Sequence, residues 1–167
     1  MSRQNDPSIT QQSRDSYLWF GLRLILPALW LGLIVGISLI EAPLKFTAPG
    51  ITIPLGLGIG RLVFGAMNIV EIVILAVLFL ATFGRGISRG VQRLVTSLAV
   101  VLLIKVALVR PQLNHQTDLV LSGASNGGSI WHYVYIACDG ALILLLLTVL
   151  WAGFKALRAH YAVGSKA

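Results

Sequence analysis

The sequence predicts an all-α fold, a polytopic membrane protein built as a bundle of four transmembrane helices with both termini in the cytoplasm. Composition supports this fold class, because 56% of the 167 residues are hydrophobic and only 11% are charged. Soluble domains are closer to half apolar and a quarter charged. The apolar residues also fall into four long stretches, and roughly 20 residues suffice to cross a bilayer as a helix. We therefore expect the chain to fold in lipid.

The organisation of the chain follows from where the apolar stretches begin and end. Three prolines and a glycine between residues 41 and 54 exclude a continuous helix there, and they predict an external loop. The polar N-terminal residues show no hydrophobic period. The predicted segments, in order, are a disordered cytoplasmic tail (1–16), a transmembrane domain (17–160) with spans at about 19–40, 55–83, 91–109 and 131–154, a cytoplasmic turn (GRGISRG), a larger external loop (110–130) and a cytoplasmic tail (161–167).

The basic residues indicate the orientation of the spans. The net charge is +7, and the excess of Lys and Arg lies in three segments: the N-terminus up to Arg23, the turn at 85–93 and the C-terminus from Lys155. Lys and Arg that flank transmembrane spans remain on the cytoplasmic side. We therefore expect the basic residues to interact with the lipid bilayer. We expect no nucleic-acid partner, because the sequence has no folded basic–aromatic platform to bind one.

Seven polar side chains in or near the predicted spans are candidates for a ligand or ion site. A charged side chain near mid-bilayer costs at least about 2.5–3.5 kcal/mol, so it should face protein or water. Their spacing places the second-span residues on one helical face and the fourth-span residues on another. The candidates are Arg61, Asn68 and Glu71 of the second span, Lys105 of the third, and His132, Tyr135 and Asp139 of the fourth.

We expect these charges to pair across the bundle, Arg61 with Asp139 or Glu71, and Lys105 with the remaining acid. Two interpretations stay open: the pairs only fix the register of the helices, or they line a site that opens to the outside for an ion, a proton or a small polar ligand. No spacing typical of a catalytic centre is present. Cys138 is the only cysteine, and we predict no catalytic residue, metal or cofactor.

Glycines mark two places where close packing is expected. Gly32 and Gly36 form a GxxxG pattern in the first span, for which packing inside the bundle is favoured over homodimerisation. The run GLGIGR begins at Gly56 and resembles a nucleotide-binding loop only superficially, because it is not G-x-G-x-x-G and no strand precedes it. Its glycines are expected to permit close helix packing.

The residues at the loop and in the second and fourth spans resemble a family of uncharacterised bacterial four-helix integral membrane proteins. That family shares an "aP.kF.aP" loop, a "GR.vF..lN.vE" second helix and an "H..Y" start of the fourth helix. The resemblance implies a multi-pass protein of the bacterial cytoplasmic (inner) membrane and brings no established activity. The matching positions are Ala42, Pro43, Lys45, Phe46, Ala48, Pro49, Gly60, Arg61, Phe64, Asn68, Glu71, His132 and Tyr135.

A narrower resemblance concerns three residues of the second span. Arg61, Asn68 and Glu71 keep the R-x6-N-x2-E spacing of the membrane-associated eicosanoid and glutathione metabolism family. Members of that family are similar to this chain in helix number and length, are usually trimeric and hold glutathione. Phe64 stands where that motif often has another arginine.

The predicted function is that of a small non-catalytic membrane protein. Its charged intramembrane cluster is expected either to handle a small solute or ion, or to belong to an accessory subunit of a membrane complex. A transporter usually has more helices or an internal repeat, so a homo-oligomer or a larger membrane complex is expected. The alternative is a glutathione-dependent membrane enzyme of the four-helix trimeric type.

Overall fold

A computed structural model of the chain describes residues 7–83, 87–125 and 128–164, and within these ranges the secondary structure is helical. Parts of the predicted tails (1–6 and 165–167), of the cytoplasmic turn and of the second loop lie outside the described residues. The elements are α1 (Pro7–Ile34), a π-helical turn (Val35–Glu41), α2 (Ala42–Leu44), a 3-10 turn (Lys45–Thr47), α3 (Ile53–Thr82), α4 (Arg89–Leu103), a second π-helical turn (Ile104–Val109), α5 (Arg110–Leu121) and α6 (Ile130–Gly164).

In the described parts of the chain, four continuous helical stretches are long and apolar enough to cross a membrane, which is the number of membrane-length helices that the sequence predicts. The helix α1 packs against α3 and α6, and α4 packs against the same two helices, so the four form a bundle. Large side chains such as Trp30, Leu98 and Leu146 fill its centre. The membrane-length stretches are Leu18–Thr47, Ile53–Thr82, Arg89–Leu121 and Ile130–Arg158.

The outer surface of the bundle is apolar. Leu62 is 76% exposed and Leu144 is 68% exposed, and many other large aliphatic side chains on the four helices also point outward. An apolar surface of this extent on a water-soluble monomer would promote association. It suits a hydrocarbon environment.

Four segments are more helical than the sequence indicated. The first is 42–47, where a loop was predicted from residue 41 but helical turns continue to Thr47. The helix α1 begins at Pro7, so residues 7–16 are not the disordered segment that was predicted, and α6 continues to Gly164, into the predicted C-terminal tail. Arg110–Leu121 is helical as well, whereas a loop was predicted from residue 110. Extending an existing helix avoids the cost of nucleation, so polar residues next to an apolar helix continue it readily.

Both π-helical turns precede a proline by the same distance. In the first, the N–H of Ala42 donates to the carbonyl of Ile37, and Pro43 follows. In the second, the N–H of Arg110 donates to the carbonyl of Lys105, and Pro111 follows. A proline ring clashes with the carbonyl four residues earlier and lacks an N–H. A π-helical turn widens the helix at that point, which accounts for the helix passing through each proline.

The two glycine patterns have different surroundings. A Cβ atom added at Gly32 or Gly36 would meet no neighbouring atom, so these glycines face outward, and the expected packing inside the bundle is wrong. At Gly56, by contrast, an added Cβ would overlap the ring of Phe46, and at Gly60 it would lie 3.0 Å from Lys45 Nζ. These glycines allow the segment after the first span to fold back onto α3.

Candidate functional site

A buried ion cluster lies in the bundle, centred on Lys105. Its Nζ donates to Glu71 at 3.0 Å (Oε1) and 2.9 Å (Oε2), and it also donates to Asp139 Oδ1. Lys105 and Glu71 are 0% exposed and Asp139 is 1% exposed. Both carboxylates are therefore buried among the helices.

Each membrane-length helix contributes to this cluster. Glu71 belongs to α3, Asp139 to α6, and Lys105 to the second π-helical turn. From the first stretch, Trp30 donates its Nε1–H to Glu71 Oε1 at 2.9 Å, and Ser38 donates its hydroxyl to Asp139 Oδ2 at 2.6 Å. Since Ser38 lies in the first π-helical turn and Lys105 in the second, both π turns supply a donor to Asp139.

The energetic consequence is that the cluster depends on its lysine. Two carboxylates taken out of water repel each other and lose hydration, and only the single ammonium of Lys105 compensates them directly. A buried ion pair can contribute little to net stability, yet removing one partner is strongly destabilising. The cluster thus imposes one arrangement on three helices.

Asn68 links this cluster to Arg110. The amide orientation that satisfies its neighbours has the NH₂ group donating to Glu71 Oε2 (3.0 Å) and Tyr135 Oη (2.9 Å), with the oxygen accepting from Arg110 Nη1 (3.0 Å). The opposite orientation would place the amide oxygen against the carboxylate and the NH₂ group against the guanidinium, so we adopt the former. Tyr135 is 2% exposed and Asn68 is 3% exposed.

Aromatic rings complete the surroundings of Lys105. Its Nζ lies 4.7 Å from the centre of the Tyr135 ring, within the range of a cation–π contact. The ring of Phe64 meets Tyr135 edge-on, with 5.3 Å between the ring centres. The ammonium therefore has charged partners on one side and an aromatic face on another.

A cavity of about 400 Å³ lies next to the cluster, and Asp139 and Tyr135 form part of its wall. Ligand pockets are typically about 300–1,000 Å³ and mostly apolar with a few polar groups, so this cavity falls in the range for a small molecule. Its polar wall residues include Lys45, Arg61, Arg110, Asn114, His132, Tyr135 and Asp139, and its apolar ones include Leu39, Pro43, Phe46, Leu57, Phe64, Leu113 and Ile136.

The structure brings the predicted site residues together in two groups. Asn68, Glu71, Lys105, Tyr135 and Asp139 belong to the hydrogen-bonded cluster. The other two predicted residues, Arg61 and His132, line the cavity, as do Tyr135 and Asp139.

The predicted pairing of Arg61 is wrong. Arg61 forms its ion pair with Asp118, and both side chains are substantially exposed, while Lys105 takes both Glu71 and Asp139. The physical reason is the extra helix, because α5 packs against α3 and carries the Asp118 carboxylate that pairs with Arg61.

Trp30, Ser38 and Arg110 contribute polar groups to the site although the sequence did not single them out, and Lys45 was named only as part of the family resemblance. A tryptophan in the middle of an apolar span, away from the interfaces that tryptophan favours, was one signal. The Arg-Pro pair at 110–111 was another, but it was assigned to a loop. Ser38 offered no signal, since one serine in an apolar helix is common.

The donors of the site do not form a metal centre within the described ranges, where no group of three or more His, Cys, Asp or Glu side chains is placed to hold an ion. The position between the two buried carboxylates is occupied by Lys105 Nζ. Comparisons of the chain with models of protein families, with curated proteins and with solved structures found no match.

Proposed function

We propose that this chain is a non-catalytic, multi-pass protein of the bacterial inner membrane that binds a small solute in the cavity beside the Lys105 cluster. One observation carries the proposal: the 400 Å³ cavity is bordered by Asp139, a member of the buried cluster, and by Arg110. Charged and polar groups at the wall of an otherwise apolar pocket are the usual composition of a small-molecule site.

A role in helix register alone accounts for less of the arrangement. Ion pairs that only fix the register need no empty space beside them, and well-packed interiors contain few voids larger than a water molecule. Here Lys45, Arg61 and His132 lie around the same cavity although they take no part in the buried cluster. Their convergence favours a ligand.

The charge pattern of the sequence supports a location of the cavity in the outer half of the membrane. With the basic termini and the basic turn in the cytoplasm, the segment 42–46 and the helix α5 lie at the external ends of their spans. The cavity is lined by residues of both segments. Movement of the solute across the membrane would then need further copies or a larger complex, in which this chain serves as a binding or accessory subunit.

The test is whether a molecule that co-purifies with the protein depends on the cavity. Leu57→Trp would fill the cavity, since Leu57 lines it, whereas Leu62→Trp adds the same side chain on the outward face of the same helix. Native mass spectrometry in mild detergent should detect a bound small molecule on the wild type and on Leu62→Trp but not on Leu57→Trp. Equal occupancy in all three proteins would refute the proposal.

The glutathione-dependent enzyme remains an alternative with less support from the geometry. Such a site should face a neighbouring subunit, but Asn68 and Glu71 are buried among the helices of one chain, and of the three motif residues only Arg61 borders the cavity. Glutathione should raise the unfolding temperature of the wild type if it is a native-state ligand.

A further inference from the structure

We infer that the cavity selects an anionic amphiphile, a molecule with one carboxylate or phosphate group and an apolar body. This inference rests on the proposed function and specifies the chemistry of its ligand. In the proposed complex, Arg110 pairs with the anionic group and the apolar wall holds the rest of the molecule. The argument begins with the partners of the basic side chains around the cavity.

Two of the three fixed cations at the wall already have carboxylate partners. Lys45 Nζ lies 3.3 Å from Glu41 Oε2, one helical turn earlier, and Arg61 pairs with Asp118. Both basic residues line the cavity, whereas their acids do not.

Arg110 differs from both. Within the described part of the chain it has no carboxylate partner: its Nη2 donates to the carbonyl of Arg61 at 2.9 Å, and its Nη1 donates to the Asn68 amide at 3.0 Å. Both acceptors are neutral, and a guanidinium has five N–H donors. The remaining donors suit the paired oxygens of a carboxylate or phosphate, which arginine binds in bidentate fashion.

The guanidinium is also held in place before any ligand arrives. A Cβ atom at Gly65 would lie 3.0 Å from Arg110 Nη2, so the glycine lets the side chain rest against α3. Its two hydrogen bonds to α3 fix the plane of the group from two sides. A binding group that is already ordered loses less entropy when the ligand binds.

The buried carboxylates offer no comparable site for a ligand cation. Asp139, the acid that lines the cavity, accepts from Lys105 on one oxygen and from Ser38 on the other. Glu71 accepts from Trp30, Lys105 and Asn68. The hydrogen-bonding groups of the site that still lack a partner are thus mainly N–H donors. They favour a ligand group that is negatively charged and rich in acceptor oxygens.

The rest of the wall specifies an apolar body for the ligand. Leu39, Phe46, Leu57, Leu113 and Ile136 line the cavity beside the basic groups. A smaller cavity of about 220 Å³ shares several of these lining residues, Phe46, Leu57 and Leu113 among them. Apolar surface removed from water contributes about 25 cal/mol per Å² to binding, so a chain of several methylenes adds to the affinity that the anionic group provides.

The decisive experiment compares decanoate with decanol, which share the same apolar chain and differ in charge. Thermal unfolding of the lipid-depleted wild type in a non-ionic detergent is followed as each compound is titrated. We expect decanoate to bind about tenfold or more tightly than decanol, the effect of one charge-assisted hydrogen bond. Equal binding of the two compounds overturns the inference, and the wild type alone decides it.

Two variants locate the preference. Arg110→Gln should reduce the affinity for decanoate to that for decanol, whereas Arg158→Gln, which removes an exposed arginine near the far end of α6, should leave the preference unchanged. Arg110→Lys keeps the charge without the planar pair of donors, and it should retain part of the preference. A preference that survives intact in Arg110→Gln would contradict the assignment.

The same chemistry is presented by a free amphipathic acid and by an anionic lipid headgroup. Repeating the decanoate titration in phosphatidylcholine nanodiscs, with and without phosphatidylglycerol, separates these sources, because only a lipid occupant competes. Either result supports an anionic ligand. If decanoate fails to bind while Leu57→Trp still removes a co-purifying molecule, the ligand is not an anionic amphiphile, but the proposal that the cavity binds a small solute stands. If Leu57→Trp also has no effect, both proposals fail.

Discussion

Lys105 is the residue on which the buried cluster most depends, because it is the ammonium that contacts both Glu71 and Asp139. We predict that Lys105→Met lowers the free energy of unfolding by about 3–5 kcal/mol, the effect documented when one partner of a buried ion pair is removed. Adding Glu71→Gln and Asp139→Asn should restore much of this loss, since the carboxylates are then neutral. Denaturant unfolding in detergent measures both effects.

The matched control is the ion pair between Arg61 and Asp118, which is exposed at the edge of the same bundle. Surface ion pairs contribute about 0–1 kcal/mol. Arg61→Ala should therefore change the free energy of unfolding by less than about 1 kcal/mol. A loss at Arg61 as large as that at Lys105 would mean that the buried and exposed partners have been assigned the wrong way round.

Membership of the site could be predicted for residues whose charge and helical spacing were sufficient to identify them. A charge inside an apolar helix must face protein or water, so Glu71, Lys105 and Asp139 could be identified from their positions alone. Which cation pairs with which acid depends on how each helix is rotated about its axis relative to its neighbours. That rotation could not be predicted from a single sequence. Trp30 and Ser38 were missed for the same reason, because their roles follow from the acids opposite them.

At the scale of elements, the fold-back of Lys45–Thr47 onto α3 depends on a glycine. We predict that Gly56→Ala lowers the free energy of unfolding by about 1–3 kcal/mol, because the added Cβ would overlap the Phe46 ring and overpacking of this kind carries a cost of that order. Gly58→Ala is the matched control on the same helix, since a Cβ there meets nothing. Thermal unfolding in detergent compares the two.

Gly58→Ala should be neutral or slightly stabilising, as alanine favours a helix over glycine by roughly 0.5–1 kcal/mol. Equal stability of the two variants would show that the Phe46 ring moves away without loss, and that the fold-back does not need the glycine. The ring also lines the cavity, so displacing it in Gly56→Ala should alter the cavity wall as well.

Helix ends and helix irregularities were the least predictable elements. The residues of α5 are polar and include a proline, a composition typical of a loop, yet the second π-helical turn carries the helix through Pro111. The cavity depends on that continuation, because Arg110, Leu113 and Asn114 come from α5. The wrong loop prediction therefore concealed the part of the cavity wall that α5 supplies.

At the scale of the whole molecule, the number of helices was predictable because a bilayer demands long apolar stretches and fully paired backbone groups. The four apolar stretches correspond to the four membrane-length helices found among the described residues. The hydropathy of the sequence does not predict which helices are neighbours, namely that α1 and α4 each pack against α3 and α6. This packing depends on complementary surfaces, among them the three-helix contact at Lys105.

The orientation of the bundle in the membrane is the last prediction. The excess of Lys and Arg lies near the two termini and in the turn before α4, whereas Lys45 and Arg110 lie toward the opposite ends of their helical stretches. Both of these residues line the cavity. Since the segments with more Lys and Arg stay in the cytoplasm, we predict that both termini are cytoplasmic. A reporter that is active only in the periplasm should be silent when fused after Ala167.

The same reporter inserted within the 122–129 connection, between α5 and α6, should be active, which makes each fusion the control of the other. If the reporter is active after Ala167 and silent within 122–129, the bundle has the opposite orientation to the one predicted. The cavity would then face the cytoplasm, and its ligand would have to be sought among cytoplasmic metabolites or lipids of the inner leaflet. The reporter result thus determines from which side of the membrane the ligand of the Arg110 site is supplied.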